Sequence, residues 1–132
     1  MTTTSPLENK SNDSLNGSWV SVCSEQDLVA NSGVCVLIGK QQIALFCMVN
    51  YAQEISLYAC DNYDPIGKAN VLSRGILCSI GDTPCISSPL YKQHFSLVDG
   101  LCLEQLEVSV NVYQVKLEQG LVSIYAPASL TS

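Results

Sequence analysis

The chain has 132 residues, enough for one domain with a sizeable core, and its 47% apolar content supports a globular fold. Six basic residues against twelve acidic ones leave a net charge of −6, which repels nucleic acid and anionic lipid and excludes a nucleic-acid-binding role. No apolar run approaches the roughly 20 residues of a membrane helix, and Met1 to Ser18 lacks the basic-then-apolar order of a signal peptide, so the cytoplasm is the expected compartment.

Residues 1–17 are rich in Thr, Ser and Asn without apolar periodicity and are expected to form a disordered tail. A first strand is expected at Trp19–Cys23, and Ser24-Glu25-Gln26-Asp27-Leu28 suits a short helical turn, with a capping residue followed by acids. Val34–Ile38 and Ile43–Val49 are apolar runs of strand length separated by Gly39-Lys40-Gln41-Gln42, which reads as a hairpin. Nearly every position in both runs is apolar, so both strands are expected in a sheet covered on both faces. Glu54–Cys60 alternates more cleanly and leads into Asp61-Asn62-Tyr63-Asp64-Pro65-Ile66. After Gly75–Ile80 the chain turns at Gly81-Asp82 and returns through Cys85–Ser88 to Pro89-Leu90-Tyr91-Lys92-Gln93-His94-Phe95. Asp99-Gly100 is a turn dipeptide before Leu101–Leu103. Val108–Leu117 alternates almost strictly and is expected as one strand, paired through Glu118-Gln119-Gly120 with Leu121–Tyr125; residues 126–132 read as a flexible C-terminal tail. Short strands, frequent turn signals and no convincing long helix indicate an all-β sandwich or barrel over residues 18–125.

The chemistry-bearing residues are few. The seven cysteines are odd in number, dispersed and without a C-x-x-C pair, so they are read as reduced and mostly buried. His94 is the only histidine; a Ser/His or Cys/His catalytic pair would have to use it, and no partner follows from spacing, so it is read as a surface or loop residue. One His with scattered Cys does not make a zinc site. Asp61 is read as a turn-former whose side chain bonds nearby backbone donors. Gly33, Gly39 and Gly67 look like turn glycines, no glycine-rich phosphate loop is present, and neither a nicotinamide nor a flavin site is expected in this chain. No catalytic, cofactor-binding or metal-ligating residue is assigned.

The two loop segments have the frame of a Rieske iron–sulfur loop pair, in which C-P-H and C-P-x-H supply two thiolates and two imidazoles. The prolines, Pro65 and Pro89, are kept, but the four ligand positions hold Asp64, Ile66, Ser88 and Tyr91. Ile66 has no lone pair, Ser88 is no soft thiolate and Tyr91 stays protonated near neutral pH, so these positions cannot hold a 2Fe–2S cluster. Asp61-Asn62-Tyr63-Asp64-Pro65, then Ala69-Asn70-Val71-Leu72-Ser73-Arg74-Gly75, Ser88 to Phe95, and Asp99-Gly100-Leu101-Cys102-Leu103-Glu104, in that order, resemble the small subunit of assimilatory NAD(P)H-dependent nitrite reductase. The resemblance covers roughly Trp19 to Tyr125.

That resemblance implies a Rieske-like (ISP-type) β-sandwich with a loop-bearing subdomain from about Asp61 to Leu97. It implies that nitrite is reduced to ammonium on a large subunit carrying siroheme, an iron–sulfur cluster and FAD and drawing on NAD(P)H, while this chain has no redox centre of its own. Ile66 and Tyr91 are expected to fill the space of the missing cluster. Tyr63, Arg74, Leu90, Tyr91, Lys92 and Gln93 form the candidate docking surface for the nitrite reductase large subunit, because interfaces favour Tyr and Arg anchors. Arg74 has a second reading, as a cation bound to loop carbonyls or to Asp64. The alternatives are a Rieske-type ferredoxin electron carrier for an oxygenase, with unusual ligands, and a free-standing β-sandwich adaptor.

Overall fold

The computed structural model describes residues 17–131, and the tail expected at the N-terminus falls on residues 1–16, outside the described residues. Strand β1 (Ser18–Ser24) runs into a 3-10 turn, Glu25–Asp27, closed by reciprocal caps. The Ser24 hydroxyl accepts from the Gln26 amide at 3.1 Å, and the Asp27 carboxylate accepts from the Ser24 amide at 2.9 Å. Strands β2 (Ser32–Ile38), β3 (Gln41–Val49) and β4 (Ile55–Asp61) are antiparallel neighbours, and β10 (Val112–Tyr113) extends their sheet to the order β10-β4-β3-β2. A second sheet has the order β1-β12-β11, with β11 at Val115–Glu118 and β12 at Leu121–Ala126. Between β4 and β10 the chain builds a subdomain. It holds a ribbon of β5 (Tyr63–Asp64) and β6 (Ala69–Asn70), a 3-10 turn at Leu72–Arg74, and a sheet of β7 (Ile76–Ile80), β8 (Thr83–Ser87) and β9 (His94–Ser96).

The two-residue period of β3 determines the layering. Ile43 and Leu45 point into a cluster with Ala59, Val122, Ile124 and Ala126 that joins the two main sheets. Ala44 and Phe46 point the other way, into a cluster with Cys60, Leu72, Ile86 and Phe95 that joins the sheet to the subdomain. The four-stranded sheet is therefore covered on both faces at β3, which is why that strand is apolar from Ile43 to Val49. Phe46 is fully buried, and truncating a ring so placed costs about 3–5 kcal/mol.

Strand β2 departs from the expectation. It is the edge strand, and Leu37 on its outer face is 63% exposed. The subdomain packs closely on β2 at Gly33, where a Cβ would lie 2.6 Å from the Phe46 ring and 2.7 Å from the Ser73 carbonyl oxygen, and touches Cys35 through Asn62. Gly33 is thus a close-approach glycine inside a strand, whereas Gly39, at φ +60°, is a turn glycine as expected.

Two further expectations are corrected. Val108–Leu117 is not one strand: β10 pairs with Ala59 and Cys60 in one sheet, and β11 pairs with β12 in the other. The chain changes sheets at Gln114, whose carbonyl accepts from the Tyr125 amide at 2.9 Å. The alternation slips by one position at the break: Val108, Val110 and Val112 pack on the subdomain core, and Tyr113, Val115 and Leu117 on the inter-sheet core. Nor is the C-terminus simply a loose tail from residue 126. Ala126 ends β12 fully buried, Pro127 starts a helical turn, α1 (Ala128–Thr131), and Leu130 packs on the inter-sheet core. Among the described residues no helix is long and apolar enough to cross a membrane.

Candidate functional site

The loop after β5 and the loop after β8 meet through a buried hydrogen bond. The Ser88 hydroxyl donates to Asp64 Oδ2 at 2.5 Å, with Asp64 fully buried and Ser88 1% exposed. Both residues stand where the Rieske frame has its cysteines. The link between the two loops is here a charge-assisted hydrogen bond.

Each partner is also held by its own loop. Asp64 Oδ1 accepts from the amides of Ile66 at 2.8 Å and Gly67 at 3.0 Å, an Asx-type turn that follows from placing Asp before Pro. Ser88 Oγ accepts from the Leu90 amide at 3.2 Å. The two backbones then close in the same way: the Lys68 amide donates to the Asp64 carbonyl at 2.6 Å, and the Lys92 amide donates to the Ser88 carbonyl at 3.1 Å. Both lysines are left-handed, at φ +61° and +65°. Leu90 closes over Gly67, where a Cβ would lie 2.5 Å from the leucine Cδ1.

The two residues expected to fill the cluster space part company. Ile66 is half-buried and packs against the subdomain core. Tyr91 does not: it is 63% exposed, because the turn that binds the Lys92 amide to Ser88 carries it outward. Tyr63 and Leu90 are also exposed, as are Arg74 and Lys92. Gln93 is half-buried; its carbonyl accepts from the Ser88 amide at 2.9 Å, and its side-chain oxygen is buried without a donor among the described residues. Arg74 does not pair with Asp64, whose oxygens are taken by Ser88 and the loop amides, and among the described residues no ion pair includes it.

Beneath the loops, Asp61 and Asn62 anchor the subdomain. Asp61 is not the local turn-former expected. It accepts from the Tyr113 hydroxyl at 2.5 Å, from Asn111 Nδ2 at 3.1 Å and from Gln41 Nε2 at 3.3 Å, tying the end of β4 to β10 and β3. Burial, then the hydrogen bond to Asp61 and its charge, push the Tyr113 phenol well above its ordinary range, so it remains a donor. Asn62, 2% exposed, donates to Gln42 Oε1 at 2.9 Å and accepts from the Ser73 amide at 2.7 Å. Sequence reasoning missed Asn62, since an Asn in a loop carries no sign that it is buried.

The remaining candidates have structural explanations. His94 Nδ1 meets Glu104 at 2.6 Å, and the His94 amide bonds the same carboxylate at 2.8 Å. Burial raises the Glu104 pKa, but these bonds and the imidazole charge outweigh it and hold the carboxyl below its ordinary range. Burial, and then the Asp61 charge, push the Cys60 thiol far above the usual thiol range, so it is neither nucleophile nor ligand. Among the described residues no three His, Cys, Asp or Glu side chains gather as a metal site. The donor set at the Rieske positions does not suit a 2Fe–2S cluster either: a carboxylate already bonded to a hydroxyl, an isoleucine and an outward tyrosine.

Comparison with known proteins agrees with this fold. Residues 18–125 match the Rieske-like 2Fe–2S domain family. The nitrite reductase (NADH) small subunit of Escherichia coli strain K12 is 36% identical over 106 residues, which are 80% of this chain and 95% of that one. The nitrite reductase NAD(P)H large subunit of Klebsiella oxytoca is 38% identical over 104 residues, which are 79% of this chain but 10% of that protein. Among solved structures, the E. coli protein NirD superposes with a TM-score of 0.71 at 33% identity, covering 83% of this chain and 97% of that chain. The nitrite reductase NAD(P)H small subunit from Erwinia carotovora does so with a TM-score of 0.64 at 42% identity, covering 80% and 79%. The ferredoxin of carbazole 1,9a-dioxygenase from Nocardioides aromaticivorans IC177, at 18% identity and a TM-score of 0.66 over 83% and 98%, shares the fold alone.

Proposed function

The chain belongs to the Rieske-like domain family as a nitrite reductase NAD(P)H small subunit, and from that premise we propose that it serves as the cluster-free docking subunit of a cytoplasmic, nitrate-assimilating enzyme. Nitrite is reduced on the large subunit, which carries siroheme, an iron–sulfur cluster and FAD. This chain contributes binding energy and assembly, and no electron passes through it. The observation that carries the reading is the Klebsiella oxytoca large subunit, which holds this domain's counterpart within its own chain. A domain that is covalently part of its partner in one organism is expected to bind that partner when made separately.

The docking surface is the loop tip, with Tyr63, Leu90 and Tyr91 as exposed aromatic and aliphatic anchors and Arg74, Lys92 and Gln93 around them. A Tyr carried on a loop whose backbone is tied down by the Asp64–Ser88 bond requires less backbone ordering on binding, which suits an interface anchor. The test is NADH-dependent nitrite reduction by the purified large subunit while this chain is titrated in. Activity should rise and saturate at a fixed stoichiometry, and Tyr91→Ala should raise the half-saturating concentration at least about tenfold. If the large subunit is fully active alone and unchanged by addition, the reading fails and a free-standing adaptor takes its place.

A further inference from the structure

Formal charge on this acidic chain is segregated along the strands. Lys68 and Lys92 occupy equivalent places on either side of the Asp64–Ser88 bond, each four residues beyond a bonded partner and each with its amide on that partner's carbonyl. Lys40, in the β2–β3 turn, lines a cleft with Tyr63 and Asn70 of the first loop. Arg74 precedes Gly75, where a Cβ would strike the Ser87 carbonyl, so it lies at the root of the second loop. All four cations are exposed, and among the described residues no ion pair includes any of them. Of the carboxylates near this end, Asp64 is engaged inward with Ser88 and Asp61 with Tyr113 and Asn111, while Glu104 is exposed but paired with His94, and exposed Glu107 lies in the turn that follows it.

The opposite end is acidic. Strand β3 runs away from Lys40 for nine residues, about 30 Å, to a turn that carries Glu54. Glu54 shares a groove there with Asp82 of the β7–β8 turn. On the second sheet, Ala126 lies at the Lys40 end with Ile38, while β11–β12 turns at the far end beside Glu118. The Glu25 amide bonds the Gly120 carbonyl there at 2.8 Å, which brings Asp27 as well. Among the described residues the one Lys or Arg outside the loop end, Lys116, is already paired with Glu118 at 3.4 Å and lies 4.4 Å from the centre of the Trp19 ring.

Building on the subunit reading above, we infer that the loop-bearing end is a cationic docking face, with Lys40, Lys68, Arg74 and Lys92 as its charges, for an acidic surface of the large subunit. Opposite charges at the two ends of the domain orient it during approach, and like-charge repulsion keeps the acidic end away from the partner. The chain path supports the same end independently. Ser18 pairs directly with Ala126, and the carbonyl of Leu130 abuts Gly39. In a relative where the matched domain continues into a longer chain, either end therefore leaves from the edge that bears Lys40.

The experiment is the same titration of the large subunit, run at low and at physiological ionic strength with wild type, Lys68→Glu/Lys92→Glu, Lys40→Glu, Lys116→Gln and Tyr91→Ala. The wild-type half-saturating concentration should climb with salt, since exposed charges are screened within a Debye length of about 8 Å at physiological strength. The double reversal should raise it at least about tenfold at low salt through a slower association rate, and Lys40→Glu should raise it in the same sense. Lys116→Gln should match wild type. Thermal midpoints of all variants should agree within a few degrees, because the substituted side chains are exposed and without tertiary partners, Lys116 excepted. Salt-independent binding, or reversal variants that bind as wild type while Tyr91→Ala is weakened, overturns the charge inference and leaves the subunit reading intact. If wild type neither binds nor activates at low salt, both fall.

Discussion

Ser88→Ala tests the bond that joins the two loops. The substitution removes the only side-chain donor to Asp64 Oδ2 among the described residues, and with it the acceptor of the Leu90 amide, while the Asp64–Lys68 and Ser88–Lys92 backbone turns stay in place. A hydrogen bond to a charged group is worth about 1.5–3 kcal/mol, and the carboxylate oxygen left behind is buried and unpaired, so the expected cost is about 2–3 kcal/mol. For a domain of this size that is a fall in Tm of roughly 10 °C. Asp64→Asn should cost less, about 1 kcal/mol: its oxygen still accepts from Ile66 and Gly67, and its amide can donate to the serine. On the Asn background Ser88→Ala loses only a neutral bond, so a double-mutant cycle should give a coupling of about 1–2 kcal/mol. Urea denaturation followed by tryptophan fluorescence measures all four proteins, since Trp19 is the only tryptophan. A Ser88→Ala protein within about 0.5 kcal/mol of wild type would refute the assignment of this bond as what holds the loops together.

Tyr113→Phe removes one donor from Asp61 while Asn111 and Gln41 remain, so a loss of about 1–2 kcal/mol is expected in the same assay; no loss would mean the phenol bond contributes nothing net. Glu104 has its carboxyl held below the unfolded value, so its stabilising contribution is present above the ordinary carboxylate range and disappears as pH falls through the folded value. Glu104→Gln should flatten that part of the acid-side decline, and parallel pH profiles for the two proteins would contradict the linkage. Gly33→Ala drives a methyl group against the Phe46 ring and the Ser73 carbonyl, which should destabilise by about 1–3 kcal/mol; a neutral outcome would show that the subdomain can lift off β2 freely. After anaerobic incubation with iron and sulfide, the purified chain should show no visible charge-transfer bands, and stable bands would overturn the argument from its donor set.

Local signals in the chain were readable where the structure they specify is local. Ser24 and Asp27 close their own turn, Gly39 and Gly81 adopt positive φ between paired strands, and Pro65 and Pro89 follow the two bonded residues. Asp61 was misjudged because its partners, Asn111 and Tyr113, lie fifty and fifty-two positions away and no nearby residue predicts them. Tyr91 was misjudged for a different reason. Aligning it with a ligand position says where its Cα lies in the loop, but whether the ring turns in or out depends on Lys92 adopting φ +65°. The sheet change at Gln114 shows in the sequence only as a one-residue slip of the alternation, from Val110 and Val112 to Val115 and Leu117, which is easily passed over because each core requires apolar residues at alternate positions. The cationic face was legible only in part: Arg74 and Lys92 sit in recognisable loops, but Lys40 joins them only once the β2–β3 turn is seen to border Tyr63.

A Rieske frame that holds Asp64 and Ser88 poses a physical question: what is lost with the cluster, and what must be replaced. The cluster supplies both a redox couple and a crosslink between two loops that have little core of their own. Only the crosslink is replaced here. The Asp64–Ser88 bond restores it with two buried side chains, Ile66 and Leu90 fill around it, and Tyr91 is left outside. If the loops served only to complete the core, exposed Tyr63, Leu90 and Tyr91 and four unpaired cations would gain nothing from rigid support. They gain if the loops are a surface, because a fixed surface gives up less entropy on binding than a mobile one. The same economy explains how the domain can be either a separate chain or a segment of its partner: an interface tolerates both, whereas a diffusing electron carrier would have to come free after each transfer.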